Sequence, residues 1–447
     1  MNTSTKRFAR IAFVVAGALS FLMLVHRARG QAGSDPIQSN ADALLVQGRN
    51  IFRFDTFGDE TFWGNTLKLH QAIEGASHGG LGSGVSPATA LAVGLKVDAD
   101  ALPAAIVSQV QSGALNLNSP DTTLALLQLN AVVGVTGFFN PDGSLKSIGI
   151  QCALCHSTVD DSFSAPGIPA GNVGHRLDGW PNRDLNVGAI VNLSPDLTAP
   201  EKLLGVDDAT FRKVLLGWGP GKFDAEVLLD GKGFRPDGKT AAVLIPPAYG
   251  LAGFNLHTWT GWGSVPYWNA FVANLEMHGS GRFFDPRLGN SNQFPIAAKN
   301  GFNNISAAPD ADRVTSKLAA LQFYQLAIPA PKVPNNPFNF SAQRGQALFS
   351  GKARCSACHT PPLFTEPGWN AHTPAEVCVD DFQSSRSPDL HYRTAPLAGL
   401  FSHQKGGFYH DGRFATLLDV VNHYDGCMTL QLSDDEKSDL VQYLLTL

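Results

Sequence analysis

The strongest constraint on this chain is a five-residue pattern, Cys-x-x-Cys-His, that occurs at positions 152–156 and again at 355–359. Two thiols at this spacing can form thioethers with the two vinyl groups of a haem, and the histidine that follows can ligate the iron. A zinc site would need further paired cysteine or histidine ligands. The patterns therefore predict two covalently bound c-type haems, held by Cys152, Cys155 and His156 and by Cys355, Cys358 and His359.

Two further cysteines, Cys378 and Cys427, lie outside these patterns. In an oxidising compartment, two leftover cysteines most often form a disulfide, which here would cross-link the C-terminal region. A reactive thiol is the alternative interpretation.

The first thirty residues have the layout of a secretory signal. Lys6, Arg7 and Arg10 precede an apolar run over residues 11–25, and small residues follow at positions 28 and 30. The run is too short to span a bilayer comfortably, so we expect no stable membrane span and a periplasmic or secreted protein. An uncleaved anchor is the alternative, because basic residues at positions 27 and 29 crowd the expected cleavage site.

The charge balance argues against nucleic acid as a partner. Of the 447 residues, 44% are apolar and 16% are charged, which is a globular composition. Residues 1–30 hold five basic and no acidic side chains, so the formal charge of −5 becomes −10 once they are removed. An acidic surface repels phosphate backbones and suits a basic redox partner, although modest acidity also serves solubility.

A Gly-x-x-x-Phe spacing occurs in two helix-like stretches, at Gly48 with Phe52 and at Gly345 with Phe349. We interpret the repeat as a duplicated cytochrome c unit whose first copy acquired a long insertion. Strand signals are sparse, so the predicted fold is mainly α, with two cytochrome c-like haem domains, long loops and an N-terminal insertion.

A proline-rich run at residues 328–337 has the composition of a stiff linker and marks the expected domain boundary. The predicted organisation is a signal peptide over residues 1–30, an N-terminal haem domain with its insertion over 31–330, and a C-terminal haem domain over 331–447.

The sixth position of each iron decides between an enzyme and an electron carrier, because only an open iron binds a substrate. Met277 and Met428 are the two methionines beyond the signal segment, and ten histidines lie outside both the haem motifs and that segment. A first haem ligated by His78, His257 or His278 would favour a pure carrier.

The C-terminal region resembles the second haem domain of bacterial di-haem cytochrome c peroxidases. The likeness is carried by the helix and haem motif after Arg344, by residues 394–400 (TAPLAGL) and 407–412 (GFYHDG), and by residues 420–424 (VVNHY). Peroxidases of this type place a methionine near position 423, and the related methylamine dehydrogenase maturation enzyme uses a tyrosine.

His423 is the closest match to that position, with Tyr424 beside it. The resemblance therefore implies a bis-histidine C-terminal haem, ligated by His359 and His423. Met428 is the alternative ligand.

The middle of the chain is similar to the rubber oxygenase branch of the same superfamily. The matching stretches are residues 218–224 (WGPGKFD), 245–251 (IPPAYGL), 267–270 (YWNA) and 279–288 (GSGRFFDPRL). The resemblance implies that an aromatic pair like Tyr267 and Trp268 lies between the haems, and that Phe283 overhangs the distal face of the first iron. The chain is much shorter after its second haem than that branch, which puts polymer cleavage in doubt.

These inferences combine into a hypothesis of divided labour. The N-terminal haem activates peroxide or dioxygen at an open site, and the C-terminal haem relays electrons. Trp268 is the preferred bridge between them, with Trp180, Trp259 and Trp262 as rivals. Peroxide cleavage also needs a group that moves a proton between the two oxygens, and the nearest polar candidates are Glu276 and His278.

Three functional classes follow. The first is a peroxidase-like oxidoreductase that takes electrons from a small periplasmic cytochrome or cupredoxin. The second is an oxygenase acting on an apolar substrate, favoured if Phe283 keeps the pocket dry, and the third is a pure electron-transfer cytochrome. Relatives often hold Ca²⁺ between their domains, so a calcium ion is a further expected ligand, to which the sequence assigns no site.

Overall fold

The computed structural model describes residues 35–163, 165–335 and 338–447, so the predicted signal peptide lies outside the described residues. Helices make up 42% of the chain and strands 10%, which confirms the mainly α class. The helices, numbered α1 to α16 in chain order, are Pro36–Phe54, Leu69–Glu74, Pro87–Ala92, Ala104–Gln111, Pro120–Gln128, Ala153–His156, Val187–Val191, Thr198–Leu204, Asp208–Trp218, Val227–Asp230, Val265–Phe271, Pro295–Asn300, Leu318–Ala327, Phe340–Ser350, Leu417–Met428 and Asp434–Leu444.

The strands form two-stranded ribbons. They are β1 (Val97–Asp98), β2 (Val135–Phe139), β3 (Leu145–Ile150), β4 (Ser157–Val159), β5 (Val173–Gly174), β6 (Arg176–Asp178), β7 (Lys222–Phe223), β8 (Val243–Leu244), β9 (Arg282–Phe284) and β10 (Asn304–Ser306). β1 pairs with β5 in parallel, whereas β2–β3, β4–β6, β7–β8 and β9–β10 are antiparallel. The β2–β3 hairpin leads directly into the first haem motif, and β4 leads out of it.

Each copy of the Gly-x-x-x-Phe spacing lies where two helices cross. A side chain at Gly48 of α1 would overlap the carbonyl oxygen of Ala320 and Cβ of Tyr324, both on α13. Four residues after this glycine, the ring of Phe52 lies 5.7 Å from that of Tyr324. Glycine is therefore required for the two backbones to approach this closely.

The second crossing repeats the first. A side chain at Gly345 of α14 would overlap the carbonyl oxygen of Asp439 and approach Cβ of Tyr443 on α16. The ring of Phe349, four residues later, lies 5.3 Å from that of Tyr443. The Gly-x-x-x-Phe repeat thus marks two equivalent helix crossings, each accompanied by one haem motif.

The C-terminal region is fixed by caps and by a cross-link. Ser433 caps α16 and forms a capping box with Glu436. Cys378 and Cys427 form a disulfide with an S–S distance of 1.99 Å, which confirms the predicted pair. It ties the loop before Asp380 to α15. Among the described residues, no helix is long and apolar enough to cross a membrane.

The close crossing at Gly345 can be tested by adding a single methyl group. We expect Gly345→Ala to lower the free energy of unfolding by about 1–3 kcal/mol, because the added Cβ meets backbone that cannot move aside. The control is Gly426→Ala, on the exposed side of α15 with no atom within 4 Å of its added Cβ. That change should be neutral or should stabilise the helix by about 0.5–1 kcal/mol. Equal effects in denaturant titrations would show that the crossing tolerates a side chain.

Candidate haem sites

The histidine of the first motif is held by a hydrogen bond to a distant loop. Nδ1 of His156 lies 3.1 Å from the carbonyl oxygen of Pro246. A carbonyl can only accept, so Nδ1 donates, and Nε2 keeps its lone pair for a metal. Burial lowers the pKa of His156 to about 4, which keeps the ring neutral. The residue is therefore prepared as an iron ligand.

The second motif uses the same arrangement with a local partner. Nδ1 of His359 lies 3.1 Å from the carbonyl oxygen of Phe364, five residues along the chain. Burial again lowers the pKa of the imidazole. Both proximal histidines thus have a neutral ring whose Nε2 keeps its lone pair for a metal.

The four motif cysteines form no disulfides. Burial raises the pKa of Cys152 to about 12. Burial raises the pKa of Cys155 to about 12 as well, with a smaller contribution from Glu276. Unpaired thiols at both motifs are what covalent attachment of a haem through two thioethers requires.

A mainly apolar cavity of about 250 Å³ surrounds the second motif. Cys355, Cys358 and His359 line it, together with helix α15 and the loops before it. Part of the wall comes from the N-terminal half of the chain: Arg183, Pro246, Pro247 and Trp259. Pro246 therefore contacts the second cavity and also accepts the hydrogen bond of the first proximal histidine.

Two arginines on this cavity have no acidic partner among the described residues. Burial lowers the pKa of Arg183 to about 10 and that of Arg393 to about 9. The guanidinium of Arg393 donates to the carbonyl oxygens of Thr258 and Leu256. Buried cations without carboxylates are costly unless an anion completes the site. The two propionates of a haem supply such charge, so this cavity fits the group that its motif predicts.

The structure does not bring His423 to this cavity. Its Nε2, the atom that would bind iron, lies 2.9 Å from the carbonyl oxygen of Val377 and donates to it. The neighbouring Tyr424 lines the cavity instead, as does Met428. Successive side chains on an α-helix point about 100° apart, so His423 and Tyr424 cannot both face one site. The expected pairing of His359 with His423 stays a prediction, and in this structure Tyr424, not His423, lines the cavity.

Two buried histidines on the cavity wall were not singled out from the sequence as ligands. Nε2 of His403 and Nε2 of His410 are buried and have no hydrogen-bond partner among the described residues. Burial lowers the pKa of His403 to about 3 and that of His410 to about 4. The sequence feature that could have drawn attention to His410 is its position within the motif at residues 407–412 (GFYHDG).

Glu276 lies beside the first motif. It ends a π-helical turn, Val272–Glu276, that continues α11. Its side chain is buried, and neither carboxyl oxygen has a partner within the described chain. Burial first, and then Glu226 and Asp224, raise the pKa of Glu276 well above the usual range. Burial therefore favours the neutral, protonated form of the Glu276 carboxyl group.

The other predicted residues near Glu276 have packing roles. His278 stacks on Phe62 with ring centroids 3.6 Å apart, and burial lowers its pKa to about 4. Phe283 packs edge-on against Tyr267 and Phe271.

Trp268 belongs to the same aromatic cluster, 5.2 Å from Trp262 between ring centroids, and is not part of the second cavity wall. Its Nε1 is buried without a partner among the described residues. The tryptophan that reaches the second cavity is Trp259, whose Nε1 donates to the Leu244 carbonyl.

Behind Glu276 lies a group of buried charges that we call the acid pocket. Its members are Asp224, Glu226, Asp230, Glu276, Gln383 and Arg386. Arg386 is fully buried and contacts Asp224 at 2.9 Å and Asp230 at 2.7 Å. Gln383 donates to Oε1 of Glu226 at 3.0 Å. The amide and the guanidinium come from the C-terminal half, so both halves build this pocket.

No family model matches the chain. Cytochrome-c peroxidase IdrP1 of Denitromonas iodatirespirans is 27% identical over 196 residues, which cover 32% of this chain and 52% of that protein. Methylamine utilization protein MauG of Methylorubrum extorquens is 25% identical over 170 residues, covering 33% and 48%. The chain thus spans about half the length of the curated relatives it matches.

Solved structures give weaker likenesses. A MauG-like protein associated with microbial copper homeostasis is 15% identical, with a TM-score of 0.32 over 49% of this chain and 78% of that one. The diheme peroxidase BthA of Burkholderia thailandensis E264 is 18% identical, with a TM-score of 0.31 over 52% and 78%.

The two curated relatives, a cytochrome-c peroxidase and a MauG protein, support the expected class, a haem-iron protein related to oxidoreductases. They also support the predicted resemblance of the chain to the bacterial di-haem cytochrome c peroxidase superfamily. The likeness of the middle region to the rubber oxygenase branch stays a prediction.

The buried ion pairs of Arg386 in the acid pocket should contribute to stability, which a substitution can test. We expect Arg386→Met to lower the free energy of unfolding by about 3–5 kcal/mol, because it leaves two carboxylates buried without their cation. Lys352→Met removes an exposed ion pair with Glu436 and should change stability little. Chemical denaturation of the two variants measures the difference. A mild effect of Arg386→Met would mean that both carboxyl groups are already protonated.

Proposed function

We propose that this chain is a periplasmic di-haem c-type cytochrome oxidoreductase that reduces peroxide at its N-terminal haem and relays electrons through its C-terminal haem. One observation carries the proposal. Both proximal histidines are prepared alike, but the first motif faces a buried, unpartnered carboxylic acid, whereas the second lies among side chains able to ligate iron. This difference supports one reactive site and one electron-transfer site.

Each haem, when bound, supplies an iron that carries one electron, and an iron with a free sixth position binds peroxide. In this proposal, thioethers to Cys152 and Cys155 and the Nε2 of His156 hold the first haem. Cys355, Cys358 and His359 hold the second, with Arg183 and Arg393 facing its propionates.

Glu276 is the proposed proton-transfer group. Cleavage of the oxygen–oxygen bond requires a proton at the leaving oxygen, and a neutral carboxylic acid can provide it. Glu276 is buried, burial raises its pKa, and its charge acts on Cys155, which supports a role beside the first haem. His278 is stacked on Phe62 and is a poor second candidate.

The proposed sixth ligand of the second iron is Tyr424, not His423. Tyr424 lines the cavity, while Nε2 of His423 donates to Val377. The maturation enzyme that the C-terminal region resembles also uses a tyrosine near this position. His423, with the disulfide four residues later at Cys427, holds the neighbouring loop in place.

Electrons are proposed to pass between the haems through the segment around Pro246. The carbonyl oxygen of Pro246 accepts the hydrogen bond of His156, and Pro246 also lines the second cavity. Trp259 adds an aromatic ring to the wall of that cavity. Trp268 stays a candidate for contact with the first haem through its unpartnered Nε1.

The two equivalent helix crossings support the proposed division into two cytochrome c-like domains, with the insertion in the first. The electron donor proposed for the second haem is a small periplasmic cytochrome or cupredoxin. A calcium ion between the domains also stays a proposal.

Electron paramagnetic resonance tests the proposed function. We expect the oxidised holoprotein to show a high-spin ferric signal from the first haem beside a low-spin signal from the second, and to reduce hydrogen peroxide with a reduced donor. Low-spin signals alone in both the oxidised and the half-reduced protein would identify an electron carrier instead.

The sixth ligand can be assigned by paired substitutions. Tyr424→Phe should abolish or shift the low-spin signal and the matching absorption bands, because it removes the ligating oxygen. His423→Phe should preserve both, since its ring bonds only to a backbone carbonyl. The opposite pattern would restore the bis-histidine assignment.

A further inference from the structure

Tyr409 is a second tyrosine on the cavity of the second motif, and the proposed function gives it no role. Tyr409 and Tyr424 both line that cavity, and the centroids of their rings lie 6.1 Å apart. They come from different elements, since Tyr424 belongs to helix α15 and Tyr409 to the loop before it. The two phenol rings are therefore neighbours in the wall of one cavity.

The hydroxyl group of Tyr409 is buried and has no hydrogen-bond partner among the described residues. Burial raises the pKa of Tyr409 above its usual range, so the hydroxyl keeps its proton at neutral pH. A buried hydroxyl without a partner costs free energy, so a stable fold keeps one where a further group can complete its hydrogen bond. Tyr409 therefore offers a hydrogen-bond donor to whatever occupies the cavity beside it.

The backbone of Tyr409 has a φ of 68°, a conformation that residues other than glycine rarely adopt. The surrounding loop imposes it, because the N–H of Phe408 donates to the carbonyl of Phe414 at 2.8 Å and closes the chain on itself. A Cβ added at Gly407 would lie 2.6 Å from that same carbonyl oxygen, so the closed loop leaves no room for a side chain there. Strained residues of this kind gather at functional sites, where the strain serves to place a side chain.

Two neighbouring rings hold the side chain of Tyr409 in place. Phe414 packs edge-on against it with centroids 4.8 Å apart, and His423 does the same at 5.6 Å. His423 is itself fixed by its hydrogen bond to the Val377 carbonyl. The hydroxyls of the two tyrosines act on each other, since burial raises the pKa of Tyr424 and the Tyr409 hydroxyl opposes that rise.

We propose that Tyr409 is a positioning residue of the second haem site, whose hydroxyl donates a hydrogen bond to the oxygen of Tyr424 when that oxygen ligates the iron. This inference rests on the proposed ligation by Tyr424. A tyrosine that binds a metal has lost its proton, so its oxygen is an anionic acceptor, whereas Tyr409 keeps its own proton.

A hydrogen bond to such an acceptor is about twice as strong as one between neutral groups. It draws negative charge away from the ligating oxygen and so favours the reduced state of the iron. Tyr409 thus makes the second iron easier for the periplasmic donor to reduce.

The experiment measures the midpoint potential and the resonance Raman spectrum of the second haem in the Tyr409→Phe holoprotein. The substitution removes one hydroxyl and keeps the ring that packs against Phe414. The matched control is Tyr443→Phe, which removes the hydroxyl of a buried tyrosine that is not part of the cavity wall. Transfer of the wild-type protein into D₂O gives a readout that needs no variant, because it replaces the proton of the proposed hydrogen bond.

We expect the low-spin signal and the vibrations of the ligating tyrosine to persist in Tyr409→Phe, with the vibrations shifted. The midpoint potential should fall, which displaces the equilibrium between reduced and oxidised haem by about tenfold or more, as expected for a lost hydrogen bond to a charged group. In D₂O the tyrosine vibrations of the wild type should shift, and those of Tyr409→Phe should not. Tyr443→Phe should match the wild type throughout.

Three results would overturn the inference. The first is an unchanged potential and spectrum in Tyr409→Phe, and the second is a wild-type spectrum that does not respond to D₂O. The third is loss of the low-spin signal in Tyr409→Phe, which would make Tyr409 itself the ligand.

Failure of the proposed function is seen separately. If Tyr424→Phe keeps the tyrosine vibrations, Tyr424 is not the ligand, and the role of Tyr409 falls with that assignment. None of these measurements depends on turnover. A protein that shows the expected shifts but does not reduce peroxide would keep the role of Tyr409 and lose the peroxidase activity.

Discussion

The hydrogen bond between His156 and Pro246 connects the two sites. A proximal histidine can ligate iron through Nε2 only while Nδ1 carries the proton, and the Pro246 carbonyl fixes that tautomer from 90 residues away. The same short segment is anchored on its other side, where the N–H of Leu244 donates to the carbonyl of His410 at 2.6 Å. Because Pro246 also lines the second cavity, a shift of this segment would alter both sites at once.

Each half of the chain also contributes side chains to the site of the other half. Gln383 and Arg386 belong to the C-terminal half but lie in the acid pocket beside the first motif. Arg183 and Trp259 belong to the N-terminal half but line the cavity of the second motif. Each half therefore lacks part of its own site when considered alone. Separating the two halves would take Arg386 away from Asp224 and Asp230, and losing one partner of a buried ion pair is strongly destabilising.

The sequence was sufficient for features that depend on short spacings. Both Cys-x-x-Cys-His patterns and the Gly-x-x-x-Phe repeat could be recognised because each depends on near neighbours, and the Cys378–Cys427 pair could be predicted because two cysteines remain outside the patterns. The sequence could not show which of His423 and Tyr424 lines the cavity, since their positions in the helix differ by a single residue and the contact that turns His423 away, to Val377, comes from a loop 46 residues away. The acid pocket could not be predicted from the sequence either, because Arg386 and Asp230, which contact each other in it, are 156 positions apart.

Buried polar atoms without partners cost about 1–3 kcal/mol each, so a stable fold keeps few of them. Two groups of such atoms lie beside the haem motifs: Arg183, His403, Tyr409 and His410 on the second cavity, and Asp224, Glu226 and Glu276 in the acid pocket. Their chemistry differs. Cations and neutral imidazoles suit a site that must hold an anionic cofactor and saturate its iron, whereas crowded acids suit a site that must release protons. Because the motifs themselves are alike, the charges around them are what support the proposed difference between an electron-transfer site and a reactive one.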